Sequence, residues 1–184
     1  MGKSLIAIVA VFLVLGGLFY FWRTRIANAP AITINSNNMQ ITSSAFAESG
    51  NILQKYSCDG EGINPPLKFS EIPDNTQSLA LVMDDPDAPA GTFTHWTVWN
   101  IKPDITEILE NSVPENATQG VTSANTNGYV GPCPPAGTHR YFFKLYALDT
   151  ELQLDQAVKV DELMKAMEGH TVASGQLMGK YSRE

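Results

Sequence analysis

The 184-residue chain has room for one domain with a sizeable core and little more. Of its 12 basic and 19 acidic side chains, three basic and no acidic ones fall in the first 30 residues, which leaves 9 against 19, a net of −10, over 31–184. So acidic a body repels phosphate backbones, and no basic stripe with interleaved aromatics offsets it, which excludes a nucleic-acid partner.

Leu5 to Trp22 is an 18-residue run without a charged side chain, flanked by Lys3 and by Arg23 and Arg25. That length just suffices to cross the hydrocarbon core as a helix, so residues 1–25 read as an uncleaved transmembrane anchor. A cleaved secretory signal is the alternative. Against it, the run exceeds the usual apolar region, and the small-x-small site Ala27-Asn28-Ala29 lies beyond both arginines. The membrane is thus an expected partner through this helix, with the domain on the extracytoplasmic, periplasmic side. Myristoylation at Met1-Gly2 is not expected, since position 6 is Ile6 and not Ser or Thr. Residues 26–30 read as a linker, and 31–184 as the soluble domain.

From residue 31 short β-like runs alternate with turn residues. Ala31–Asn35 and Met39–Thr42 alternate weakly around a turn at Ser36-Asn37-Asn38. Ser78–Met83 is a continuous apolar run, as in a strand buried on both faces. His95–Ile101 is rich in aromatic and β-branched residues. Arg140–Leu148 is the strongest strand, with Tyr141, Phe143, Leu145 and Ala147 along one side. Helical signal comes late: Asp161 caps a segment containing Leu163, Met164 and Met167 that ends near Gly169, and a second helix is predicted over about 172–181, weakened by Gly175 and Gly179. Short strands followed by terminal helices suggest a β-sandwich with helices packed at its end.

Three polar clusters sit in turns beside these strands. In Asp84-Asp85-Pro86-Asp87-Ala88-Pro89 two prolines fix dihedrals around the carboxylates. His95 opens the next strand, so a hairpin between 78–83 and 95–101 brings Asp85 and His95 to one end of a sheet. Gly131-Pro132-Cys133-Pro134-Pro135-Ala136-Gly137 is a stiff turn delivering His139 to the mouth of a strand, with Tyr141 on the same face. A carboxylate beside two imidazoles would raise their pKa and favour imidazolium, which binds phosphate by charge-assisted hydrogen bonds. A lone Asp or His at a strand end is more often structural than functional. Trp96, Trp99 and the late methionines read as core, and Arg140 equally as the buried ion-pair partner of an aspartate or as a ligand contact. The two cysteines, Cys58 and Cys133, lack metal-ligand spacing. They form one disulfide in an oxidising compartment if their Cα atoms come within about 7 Å, and stay reduced in the cytoplasm.

Together, Asp85-Pro86-Asp87-Ala88-Pro89, His95-Trp96 and Gly131 to Pro135 with Gly137 and His139-Arg140-Tyr141 resemble the phosphatidylethanolamine-binding protein family. The details look most like its bacterial and archaeal Raf kinase inhibitor-like (YbhB/YbcL) branch. Tyr56-Ser57-Cys58-Asp59-Gly60, Asn64-Pro65-Pro66-Leu67 and Leu177-Met178-Gly179-Lys180-Tyr181 are similar to that branch too. The resemblance implies a Greek-key β-sandwich of antiparallel sheets with C-terminal helices. It further implies a small pocket for phosphate, acetate or a phospholipid headgroup, lined by Asp85, His95, His139 and Tyr141. Cys133 and Pro134 would supply backbone and rim, Asp87 would brace the first loop and Tyr181 would close one side. Relatives that modulate kinases or inhibit serine proteases use other surfaces, so neither role transfers through the pocket residues, and a kinase or protease partner is left open.

The expected function is a binding or regulatory module, not an enzyme, with no cofactor and no metal. The rival is a hydrolase, using either a two-histidine, one-carboxylate metal site from His95, His139 and Asp85 or a thiol pair of Cys133 with His139 or His95. Neither a Gly-x-Ser-x-Gly elbow nor a His-Glu-x-x-His helix supports hydrolysis. Protease inhibition through an exposed loop is the third reading, and no inhibitory loop is identifiable.

Overall fold

A computed structural model describes residues 39–183. Two antiparallel sheets dominate it. The smaller has the order β1-β2-β5, from β1 (Gln40–Thr42), β2 (Leu67–Ser70) and β5 (Glu107–Ile108). The larger has the order β6-β4-β3-β7-β8, from β3 (Ser78–Asp85), β4 (Phe93–Ile101), β6 (Thr118–Gln119), β7 (Thr138–Leu148) and β8 (Thr171–Ser182).

The central strand shows how sequence sets this arrangement. Every residue of β3 is buried, because successive side chains point to opposite faces and both faces are covered. Leu79, Leu81 and Met83 join the core shared with the small sheet, which adds Ile41, Leu67, Phe69 and Ile108. Ala80 and Val82 face the other way, onto Trp99, Leu148, Leu163 and Met167. Fully burying side chains such as Leu79, Leu81 or Leu145 stabilises the fold by about 1.5–3 kcal/mol each. The unbroken apolar run is a strand between two cores.

The second core is roofed by one helix, α1 (Val160–Met167). Leu163 and Met167, four apart, share its buried face. Lys159, not Asp161, occupies the N-cap position, and it makes no side-chain capping bond. Asp161 and Glu162 lie in the first turn, where negative charge suits the helix dipole. Gly169, at φ +79°, follows the end.

The predicted second helix over 172–181 is instead β8, paired with β7 from Thr138↔Ser182 to Leu148↔Thr171. Its buried positions Leu177, Gly179 and Tyr181 follow a period of two. The glycines taken as helix weaknesses mark close approaches. A Cβ on Gly175 would stand 2.1 Å from the Met39 carbonyl oxygen, and one on Gly179 would meet Ile52 and Phe46 below 3 Å.

The expected membrane anchoring and periplasmic placement are corrected. Among the described residues no helix is long and apolar enough to cross a membrane. The anchor (1–25), the linker (26–30), the strand Ala31–Asn35 and the turn Ser36-Asn37-Asn38 fall outside the described residues.

Candidate functional site

The three polar clusters meet at one end of the large sheet. Asp85 ends β3, His95 lies near the start of β4, and His139 and Tyr141 lie at the start of β7, all on or beside neighbouring strands. His139, Tyr141 and Phe143 alternate along β7 toward the inter-sheet core, as the pleat requires. Tyr181 on β8 stands directly opposite His139.

His95 reaches this group through a break in register. Met83 faces Trp96 and Asp84 faces Thr94, so one step along β3 spans two along β4, and His95 is the extra residue. Without this bulge His95 would share the face of Thr97 and Trp99. With it, the imidazole lies on the face of Trp96, edge-on to the Tyr141 ring at 5.2 Å between centroids and 4.7 Å from the Phe93 ring.

Each imidazole is fixed through Nδ1. His95 Nδ1 lies 2.7 Å from the Val130 carbonyl oxygen, which can only accept, so Nδ1 carries the proton. The Val130 amide in turn donates to the His95 carbonyl. His139 Nδ1 lies 2.7 Å from Asp85 Oδ2, and Asp85 Oδ1 accepts from the Asp87 amide at 2.8 Å. In neither ring does Nε2 make a hydrogen bond among the described residues. Asp85, His95, His139 and Tyr141 are 3%, 4%, 7% and 0% exposed, so the group lies just beneath the surface.

The structure revises the charge expected of His95. Burial is the largest influence and lowers its pKa, outweighing the Val130 bond and the nearby Asp85 and Asp84, which raise it. The ring is therefore neutral near pH 7 when no ligand is present. The buried Tyr141 hydroxyl finds no acceptor for its proton among the described residues. Burial, and next Asp85, push its pKa up, opposed in part by the Cys133 main-chain amide.

Asp87 ties its own turn to the start of β7. It accepts from the Arg140 amide at 3.0 Å and from Arg140 Nε and Nη2 at 2.9 and 2.7 Å. Arg140 is thus an ion-pair partner of an aspartate, though an exposed one and not buried. The Arg140 side chain, against opposing burial and with help from its amide, draws the Asp87 carboxyl down to about 2. Because this value lies below the unfolded carboxyl's, roughly 3.9, the pair stabilises the fold above about pH 4. That contribution is lost as pH falls toward 2. Arg140→Ala is expected to flatten this part of the acid-unfolding profile, by a small amount because solvent screens the pair.

In the 131–137 turn Cys133 is exposed and Pro134 is buried. Cys133 is bonded to Cys58, with Cα atoms 5.4 Å apart, so it has no free thiol to pair with His95 or His139. Nor does any group of three or more His, Cys, Asp or Glu side chains among the described residues gather as a metal site would require. The disulfide ties the 131–137 turn to the loop that follows a 3-10 turn at Gln54–Tyr56. There the Cys58 amide donates to the Pro132 carbonyl, and the Tyr129 hydroxyl donates to the Tyr56 carbonyl at 2.8 Å. Gly131 lets the loops touch, since a Cβ there would lie 2.7 Å from the Tyr56 oxygen.

Sequence reasoning missed several supporting residues. Tyr181 bonds to Ser57 at 2.7 Å and to Asp59 at 2.8 Å, and Asp59 also pairs with Arg183. Ser57 and Asp59 lie within the Tyr56–Gly60 motif, which was a usable signal. Val130 acts through its backbone and offered none. The surface also carries two open depressions. One of about 960 Å³ runs between the β1 region and β8, and one of about 380 Å³ is bordered by Asn51, Gln54, Asp59 and Tyr181.

Residues 42–182 match the family model described as phosphatidylethanolamine-binding protein. The chain is 46% identical over 150 residues to a UPF0098 protein of Methanothermobacter thermautotrophicus, covering 79% of this chain and 99% of that one. A UPF0098 protein of Pyrococcus horikoshii is 48% identical over 151 residues, with 77% and 76% covered. Among solved structures, a phosphatidylethanolamine-binding protein homologue from Chlamydia trachomatis superposes with a TM-score of 0.78 at 43% identity, covering 81% of this chain and all of its own. Escherichia coli YbcL, described as a member of the mammalian family, gives 0.75 at 27% identity, with 80% and 99% covered.

Proposed function

The chain belongs to the phosphatidylethanolamine-binding protein family, and from that premise we propose that it is a binding module holding a small anion, a phosphate or a phospholipid headgroup, without turning it over. The observation that carries this reading is the Tyr141 hydroxyl, buried beside the His95 ring with no acceptor for its proton. Leaving such a group unsatisfied costs about 1–3 kcal/mol, which a ligand oxygen accepting its proton would offset. Two imidazoles have Nδ1 engaged, and each can donate to an anion from Nε2 once it carries a second proton. Their low exposure suits a headgroup-sized ligand. A protein partner would be engaged through other surfaces.

Titrating the full chain with inorganic phosphate and with glycerophosphoethanolamine, while following the imidazole resonances, tests the reading. His95 and His139 are expected to shift with one shared midpoint. Tyr141→Phe is expected to weaken binding roughly fivefold, about one hydrogen bond's worth, while leaving the unfolding midpoint unchanged or raised. Two separate midpoints, or no response from either ring, would refute the shared site.

A further inference from the structure

An anion held by His95 and His139, as the preceding reading requires, meets a problem of charge balance. The cations nearest in sequence are engaged elsewhere: Arg140 with Asp87 and Lys144 with Asp84. Both lie on the face of β7 opposite His139 and Tyr141. From β3, His95 feels Asp85 and Asp84, both negative, and from β7 it feels His139. Tyr141 on β7 and Phe93 on its own strand cover it with neutral rings, and the 129–131 segment presents the Val130 carbonyl.

Because that carbonyl takes the Nδ1 proton, the neutral ring shows a bare lone pair at Nε2, which repels an anion's oxygen. A second proton makes the same atom a charge-assisted donor. Rotating the ring to offer Nδ1 instead would break the 2.7 Å bond to Val130 and leave that carbonyl without it.

We propose that the site loads a singly charged oxyanion, a phosphodiester or a carboxylate, together with one proton that settles on His95 Nε2. One proton balances one charge, whereas Asp84 and Asp85 stand against a second. The sign of the pH dependence follows. Burial holds the free ring's pKa below its usual value, and a bound anion raises it. Affinity is therefore full below the free pKa. Above it, affinity falls about tenfold per pH unit until the bound pKa is reached.

Dimethyl phosphate, a diester that does not titrate near neutrality, and methyl phosphate, a monoester that is largely dianionic at pH 8, separate the possibilities. Calorimetry of the full chain at pH 7.5, in buffers of different ionisation enthalpy, counts protons. Uptake near one per dimethyl phosphate is expected, with binding about tenfold weaker at pH 8 than at pH 7. Methyl phosphate at pH 8 should bind at least about tenfold more weakly than the diester. Imidazole 15N shifts should place the new proton on His95, and His95→Gln should abolish the uptake. Binding with uptake near zero, or preference for the dianion, overturns the proton-linked proposal while leaving the anion site standing. Failure of both probes to bind removes the site reading and the proposal together.

Discussion

Removing the Cys58–Cys133 disulfide is expected to lower the stability of the folded chain by about 4 kcal/mol. The bridge closes a loop with a sequence separation of 75, and the chain-entropy relation for that span gives about this value. A domain of this size has a total stability of roughly 5–15 kcal/mol, so the loss is large. Both cysteines are exposed, so a reductant reaches the bond without prior unfolding. Denaturant unfolding with and without reductant, and of the Cys58→Ser, Cys133→Ser double variant, measures the effect. A loss below about 1 kcal/mol would mean that Gly131 packing and the loop hydrogen bonds hold the rim unaided.

Asp85→Ala is expected to be the most damaging change within the site. One oxygen of the carboxylate holds the buried His139 ring and the other holds the partly buried Asp87 amide. Each donor left without an acceptor costs about 1–3 kcal/mol, so the two together give a loss of about 2–6 kcal/mol. Release of His139 should also reduce anion affinity at least about tenfold, since an untethered ring must be ordered on binding. Unfolding curves and the phosphate titration report the two effects separately. Unchanged affinity in a folded variant would show that Asp85 supports the fold alone.

Much of the framework was legible because it is written in local periodicity. The β3–β4 hairpin and the inward row of β7 follow from apolar and alternating residues, and the hairpin carries Asp85 and His95 to one end. The failures have a shared physical origin. Gly175 and Gly179 look like helix defects until Met39, Ile52 and Phe46 are seen pressing on them. The bulge at His95 belongs to the register between two strands, which neither strand encodes alone. The charge of His95 was misjudged because neighbouring carboxylates are visible in sequence and depth of burial is not. The meeting of Cys58 and Cys133 likewise depends on two loops brought together by strands far apart in the chain.

The sheet order also fixes when during folding the site comes into being. β3 pairs with β4 at once, but its other neighbour, β7, follows only after residues 86–137 have been threaded through β4, β5 and β6. Asp85 and His139 are 54 positions apart, so their bond awaits a slow, non-local closure. A partly assembled chain with only the first hairpin formed has no partner for Asp85 and nothing to grip an anion. A ligand of the proposed site would therefore recognise the finished molecule alone, and its presence would hold newly made chains in that state by mass action.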